Sequence, residues 1–293
     1  MNQSSDRLRI GLRYQEYSFR LQEIGLACGT MLGSVQTHEN ILAMLGTPDA
    51  VQRLMDEGVR VVTQTAWKNL SPHVLEAVKA PLRRMQGMGK AATDLIQNLS
   101  LVMLCTQLEI FIKHLIDVIL VGDPRRLKAY ASEKNVTAAE VVELGDYGGV
   151  MQRFRDKVAK EVTDAGIREM MCRHLGTRFG LIEEIEIRIV LPGEAQGEQF
   201  RGWNLEKLVE IFELRNQIVH RGTLPVTDIG FLNRAGHFFQ AIQTVLSVNA
   251  VLRHDVGLQP PDSLNYLAAM GEFYSVSEGK LAKLKERLNP SPA

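Results

Sequence analysis

Apolar residues recur along most of the chain at spacings of three and four, the period of a helix rather than of a strand. The clearest stripe is Leu101, Leu104, Leu108, Phe111, Leu115 and Val118, six apolar side chains on one helix face. It lies in the longest apolar run, Leu99 to Val121, and the breakers Gly122-Asp123-Pro124 end it. Ser71-Pro72 reads as an N-cap followed by proline at the first helical position, so a helix is expected from there into the apolar run, softened at Gly87 and Gly89. Upstream, Asp6 to about Met31 sets Leu8, Leu12, Tyr17, Phe19, Leu21, Ile24 and Leu26 among charges, a helix weakened at Gly29 and Gly33. Gly46-Thr47-Pro48-Asp49 marks a break and restart, with a helix from about Pro48 to Glu57. Residues 125–175 read as shorter helices interrupted at Gly145 and Gly148-Gly149. Ile185, Ile187 and Ile189 alternate with charges, which suggests a short strand within Ile182 to Leu191, although the rest of that stretch suits a helix equally. Pro192 to Gly202 is expected to be a loop.

The C-terminal third carries cleaner punctuation. Asn204 is an N-cap without a full capping box, since Lys207 stands where Glu would be needed. Its helix runs from Leu205 to about Arg221, with Gly222 at the C′ position and Pro225 shortly after. Thr227 and Asp228 cap the next helix, about Ile229 to Leu252. Gly257 to Asp262, with Pro260-Pro261, reads as a linker before a final amphipathic helix from Leu264 to about Leu288. The fold class expected is all-α, a helical bundle with extra N-terminal and C-terminal helices. It divides into an N-terminal helical region of unassigned role (1–92), a bundle (93–256), and a linker with the C-terminal helix (257–293). No repeat or low-complexity tract is present.

Composition narrows the function classes. With 45% apolar residues and 34 basic against 34 acidic side chains in 293 residues, the chain is neither a disordered polyelectrolyte nor a histone-like coat for nucleic acid. Cys28, Cys105 and Cys172 are widely spaced, so no disulfide framework or close metal spacing follows and a reducing compartment is expected. The N-terminus lacks a continuous apolar h-region. The apolar run carries Gln107, Glu109, Lys113, His114 and Asp117, costly in lipid but compatible with a buried helix. A cytoplasmic protein without a membrane partner is expected. Gly87-Met-Gly-Lys90-Ala-Ala-Thr93 fails the phosphate-loop pattern, with Arg84 and Ala91 at the positions that require Gly and Ser/Thr. No Gly-x-Ser-x-Gly elbow or His-Glu-x-x-His helix occurs, and Cys172-Arg173-His174 is too tight for a metal site. No cofactor and no metal are expected.

The segment richest in chemistry runs from Trp203 to Gly222. At about 100° per residue, Leu208, Ile211, Phe212 and Val219 share a helix face with Arg215, so a permanent cation lies on or beside the apolar stripe. Asn216 and His220, four apart, stack on a neighbouring face. Basic groups in a last turn also complement the helix dipole, so a purely structural role stays open for all three.

Arg215-Asn216-x-x-x-His220, after an apolar helix and before Gly222, resembles the signature of the HEPN superfamily. Those domains are all-helical, and many are metal-independent RNA endonucleases. Thr106-x-x-Glu109-x-Phe111-Ile112-x-x-Leu115-Ile116 is similar to the family's preceding long helix, which commonly offers an acidic or polar residue to the Arg-His pair. Thr227-Asp228 opening a further helix also fits, and the resemblance covers about residues 93–255. It implies a HEPN-like bundle that cleaves RNA by attack of the 2′-hydroxyl, in a toxin or an antiviral, phage-defence effector. His220 would be the acid/base and Arg215 the phosphate clamp. Asn216 would orient either group, and Glu109 would hold Arg215. The products would carry 2′,3′-cyclic phosphate or 3′-phosphate ends. The implied partners are RNA and a second copy, with the site at the two-fold interface. A regulatory protein partner stays open.

One toxin branch of that family has a tyrosine two residues after the histidine, modified by a partner nucleotidyltransferase; here that position is Gly222, and that control does not carry over. Residues 201–240 hold five Lys/Arg against four Asp/Glu, so the motif has no strong basic track of its own. Arg125, Arg126 and Lys128, with Lys280, Lys283, Lys285 and Arg287, are candidates to supply one, against the plainer role of solvated helix surface. Glu109 and Lys113 are spaced for a helical ion pair, and His237 could face the motif from the next helix. Tyr147 is a turn aromatic with no assigned role. The alternative reading is a non-catalytic helical dimerisation or scaffold module, and a third is a nucleotide-binding module using the same cationic pocket.

Overall fold

The computed structural model describes residues 11–45, 72–122, 137–182, 200–259 and 263–288. In chain order the helices are α1 (Tyr14–Leu45), α2 (Pro72–Gly122), α3 (Ala138–Leu144), α4 (Tyr147–Asp164) and the single turn α5 (Ile167–Glu169), which continues as a π-helical segment (Met170–Arg178). They are followed by α6 (Leu205–Arg221), α7 (Ile229–His254), α8 (Leu264–Phe273) and α9 (Glu278–Leu288). The fold is all-α. Among the described residues the one β-type contact is a bridge between Leu12 and Leu258, which ties the start of α1 to the segment after α7. No described helix is long and apolar enough to cross a membrane.

Helix α2 is the spine, and α1, α4, α6 and α7 all pack on it. Its stripe Leu101, Leu104, Leu108, Phe111, Leu115 and Val118 is buried throughout. The helix is continuous over the described residues Pro72–Gly122, so Gly87 and Gly89 do not interrupt it. Fifty-one residues at the usual rise give a rod about 75 Å long. Helix α1 likewise runs through Gly29 and Gly33 to Leu45, beyond the expected end near Met31. Burial of Leu21, Ile24 and Cys28 on one side outweighs the glycine penalty of about 1 kcal/mol each. Thr30, Ser34 and Thr37 each donate to the carbonyl four residues back, which adds contacts within the same stretch.

Helix α7 is buried nearly all round, including Gln240, Gln243, Thr244, Ser247 and Asn249. Its polar groups stitch helices together. Thr244 bonds the hydroxyl of Tyr14 (2.7 Å), and Gln240 donates to the Ser18 carbonyl while accepting from Tyr274 (2.5 Å). One hydrophobic core draws on α1, α2, α4, α6, α7, α8 and α9.

The final helix divides where the pattern predicted one. Ser275 adopts φ +54°, and Val276 folds back to donate to the Gly271 carbonyl (2.8 Å). Gly271 makes the corner feasible, since a Cβ there would stand 2.7 Å from Leu281 Cδ2. Gly145 (φ +68°) separates α3 from α4, whereas Gly148 and Gly149 lie inside α4, whose N-cap Asp146 accepts from the Gly149 amide (2.7 Å). Tyr147 opens α4. The expected helix at 48–57, the strand within 182–191 beyond Ile182 and most of the 192–202 loop lie outside the described residues.

Candidate functional site

The site is built on α6 and the middle of α2. The side chain of Asn204 accepts from the Lys207 amide (3.2 Å), which starts α6. Gly222, at φ +64°, ends it with its amide on the Ile218 carbonyl (3.2 Å). Leu208, Ile211 and Phe212 are buried as the stripe predicts, but Val219 is exposed while its neighbour Ile218 is buried. The chain then returns to α2 through a clamp. Asn98, fully buried, donates to the Val226 carbonyl (2.8 Å) and accepts from the Val226 amide (3.0 Å). Asp228 accepts from the Gly230 and Phe231 amides and opens α7.

This frame sets Arg215 over α2. Its Nη2 stands 3.8 Å from the Glu109 carboxylate, with the two side chains 24% and 29% exposed. Its Nη1 donates to the Asn216 side-chain oxygen (3.0 Å). At 3.8 Å the carboxylate is an ion-pair partner rather than a hydrogen-bond acceptor. The Arg215 Nε is buried without a hydrogen-bond partner. The guanidinium is therefore oriented but not saturated. Glu109 pairs with Arg215 and not with Lys113 one turn on. Burial raises the Glu109 carboxyl above its ordinary range, and the Arg215 charge opposes that rise. One turn before it, burial strongly raises the Cys105 thiol, and the Glu109 charge adds to the effect.

Three of the four candidate residues thus come together in one chain: Glu109, Arg215 and Asn216. His220 is exposed on the outward flank of α6 and makes no hydrogen bond or ion pair with a described residue. His237 instead meets the Tyr274 hydroxyl (3.4 Å), and burial lowers its imidazole. The side chain of Asn98 was missing from the candidate set. Its only signal in the sequence is an amide at the edge of the longest apolar run, and its partner is 128 residues away.

Of the basic groups, Lys285 pairs with Glu272, and Arg287 bonds the Val251 and Leu252 carbonyls and Asp255. Arg125, Arg126 and Lys128 lie outside the described residues. The failed phosphate-loop pattern at 87–93 is helix, and Cys172 and His174 sit on the π-helical segment. Among the described residues no group of three or more His, Cys, Asp or Glu is placed to hold a metal ion.

No protein-family model, curated protein or solved structure matches the chain.

Proposed function

We propose that the chain is a HEPN-like, metal-independent endoribonuclease, acting as a homodimer in a toxin or antiviral role. The observation that carries this reading is the part-buried Arg215, aimed by Glu109 and Asn216, with only one hydrogen bond to its guanidinium among the described residues and its buried Nε unpaired. A planar guanidinium in that condition suits the non-bridging oxygens of a phosphodiester. In the proposed reaction the ribose 2′-oxygen attacks phosphorus and the bond to the 5′-oxygen breaks. The products are a 2′,3′-cyclic phosphate and a 5′-hydroxyl. His220 takes the 2′-hydroxyl proton or gives one to the leaving oxygen, and Arg215 stabilises the charge that builds on the phosphorane. Glu109 is a positioning residue.

A second observation supports a site completed by another copy. Leu95, Leu99, Met103 and Ile110, each between 39% and 54% exposed, form one stripe along α2 beside Glu109. Val219, close to His220 in sequence, is equally uncovered. Joining two such faces covers the stripe and brings two motif helices near a two-fold axis. The same stripe would serve the scaffold reading, in which the motif does no chemistry.

The deciding experiment is cleavage of end-labelled single-stranded RNA and total tRNA in EDTA. Wild type is expected to cut and leave cyclic phosphate ends. His220→Ala and Arg215→Ala are each expected to lose about 10²–10⁴-fold in rate. Absence of cleavage by wild type, with all three proteins folded and dimeric, would favour the scaffold.

A further inference from the structure

Helix α9 packs on the C-terminal end of α7 and presents Lys280, Lys283 and Arg287, at spacings of three and four, along one face. Opposite them α7 offers Asn249, Leu252 and Arg253. With Glu286 these residues line a cleft of about 650 Å³, inside the usual range of about 300–1,000 Å³ for small-molecule sites. Four cations thus meet one carboxylate in a chain whose net charge is zero. Arg287 has a structural task, since it bonds the Val251 and Leu252 carbonyls and Asp255 at the end of α7. The helix terminus, at about half a negative charge, and the carboxylates of Asp255 and Glu286 lie beside these cations. Burial chiefly, and the neighbouring Arg253 charge after it, push the Lys280 amine below its ordinary range.

The floor of the cleft supplies an independent observation. Asn249 is 2% exposed, and its Nδ2 donates to the Leu181 carbonyl, which fixes the orientation of the amide. Its Oδ1 is buried without a hydrogen-bond partner. It is one of twelve buried side-chain polar atoms among the described residues without a hydrogen-bond partner, and it has the capacity to accept a donor. The surrounding backbone is held in place: Arg253 donates to the Gly180 carbonyl, and His254 bonds the Phe179 carbonyl (2.7 Å). The segment so gripped directly follows the π-helical turn Met170–Arg178, a geometry often found beside functional sites.

The geometry points to a binding site for a small phosphorylated molecule that also carries a hydroxyl or amino donor, of the size and chemistry of a nucleoside monophosphate. The phosphate is held by Lys280, Lys283 and Arg253, and the donor group meets Asn249 Oδ1. The site is independent of the ribonuclease reading. Asn249 stands twenty residues along α7 from Ile229, about 30 Å from the end that adjoins the motif helix.

The test is calorimetric titration of the full chain with AMP, inorganic phosphate and a pentanucleotide RNA. AMP is expected to bind saturably, and phosphate alone more weakly. Lys280→Ala/Lys283→Ala is expected to weaken AMP about tenfold or more, and Lys283→Glu likewise, with circular dichroism unchanged. Arg215→Ala is expected to bind AMP as wild type does, whatever its effect on RNA cleavage. Three results would each overturn the site: no saturable binding of AMP, an affinity unchanged in both lysine variants, or binding of the RNA alone.

Discussion

At the scale of single residues, the histidines divide by environment. His220 is exposed, whereas His114, His174 and His237 are each pushed below the ordinary imidazole value near 6.5, chiefly by burial. His114 lies against the Tyr17 ring (5.5 Å), with its Nε2 buried and unpaired. Arg13 lowers it further, while Asp117 and Glu16 oppose that shift. All three stay neutral in the fold at a pH where the unfolded chain takes up protons. The unfolded state therefore binds more protons as pH falls below about 6.5, and stability falls with it. Urea denaturation is expected to show a lower midpoint at pH 5.5 than at pH 7.5. His114→Gln is expected to narrow that gap, and equal midpoints for wild type at the two values would contradict the assignment.

At the scale of elements, glycine has opposite roles in neighbouring places. In α1 a Cβ at Gly29 would meet nothing within 4 Å, and the position is exposed. Gly29→Ala should therefore raise stability by about 1 kcal/mol, through helix propensity alone. A Cβ at Gly11 would fall 2.8 Å from the Gln259 backbone nitrogen and 2.9 Å from the Leu258 carbonyl carbon. Backbone cannot yield as a side chain can, and the approach belongs to the Leu12–Leu258 bridge. Gly11→Ala should cost about 1–3 kcal/mol by overpacking. Chemical denaturation of the two variants side by side checks both signs. The ends of α6 and the start of α7 were readable because caps are local: Asn204, Gly222 and Asp228 act within a few residues of themselves. Helix interiors were less so. Gly29, Gly33, Gly87 and Gly89 look like interruptions until the packing along the rest of each helix is known.

At the scale of the whole molecule, the exposed stripe of α2 is the surface on which the proposed second copy would dock. Met103→Glu together with Leu99→Glu should convert a dimer to a monomer in sedimentation, while leaving the helical spectrum intact. RNA cleavage should fall with dimerisation if the two motif helices share one site. A wild-type chain that sediments as a monomer at micromolar concentration would remove the shared site from the proposal.

The sequence alone determined the all-α class, the buried face of α2, the caps of α6 and α7, and the grouping of Arg215, Asn216 and His220 near the end of one helix. These follow from periodicity and from side chains acting on their own backbone, both short-range effects. Tertiary structure alone decided that Glu109 faces Arg215 rather than Lys113, and that Asn98 holds Val226. It also decided that the last helix folds at Gly271 to Val276, and that Asn249 and the lysines of α9 line one cleft. Each of these depends on which helix lies beside which. Packing sets that through contacts between residues far apart in the chain, and no local spacing encodes them.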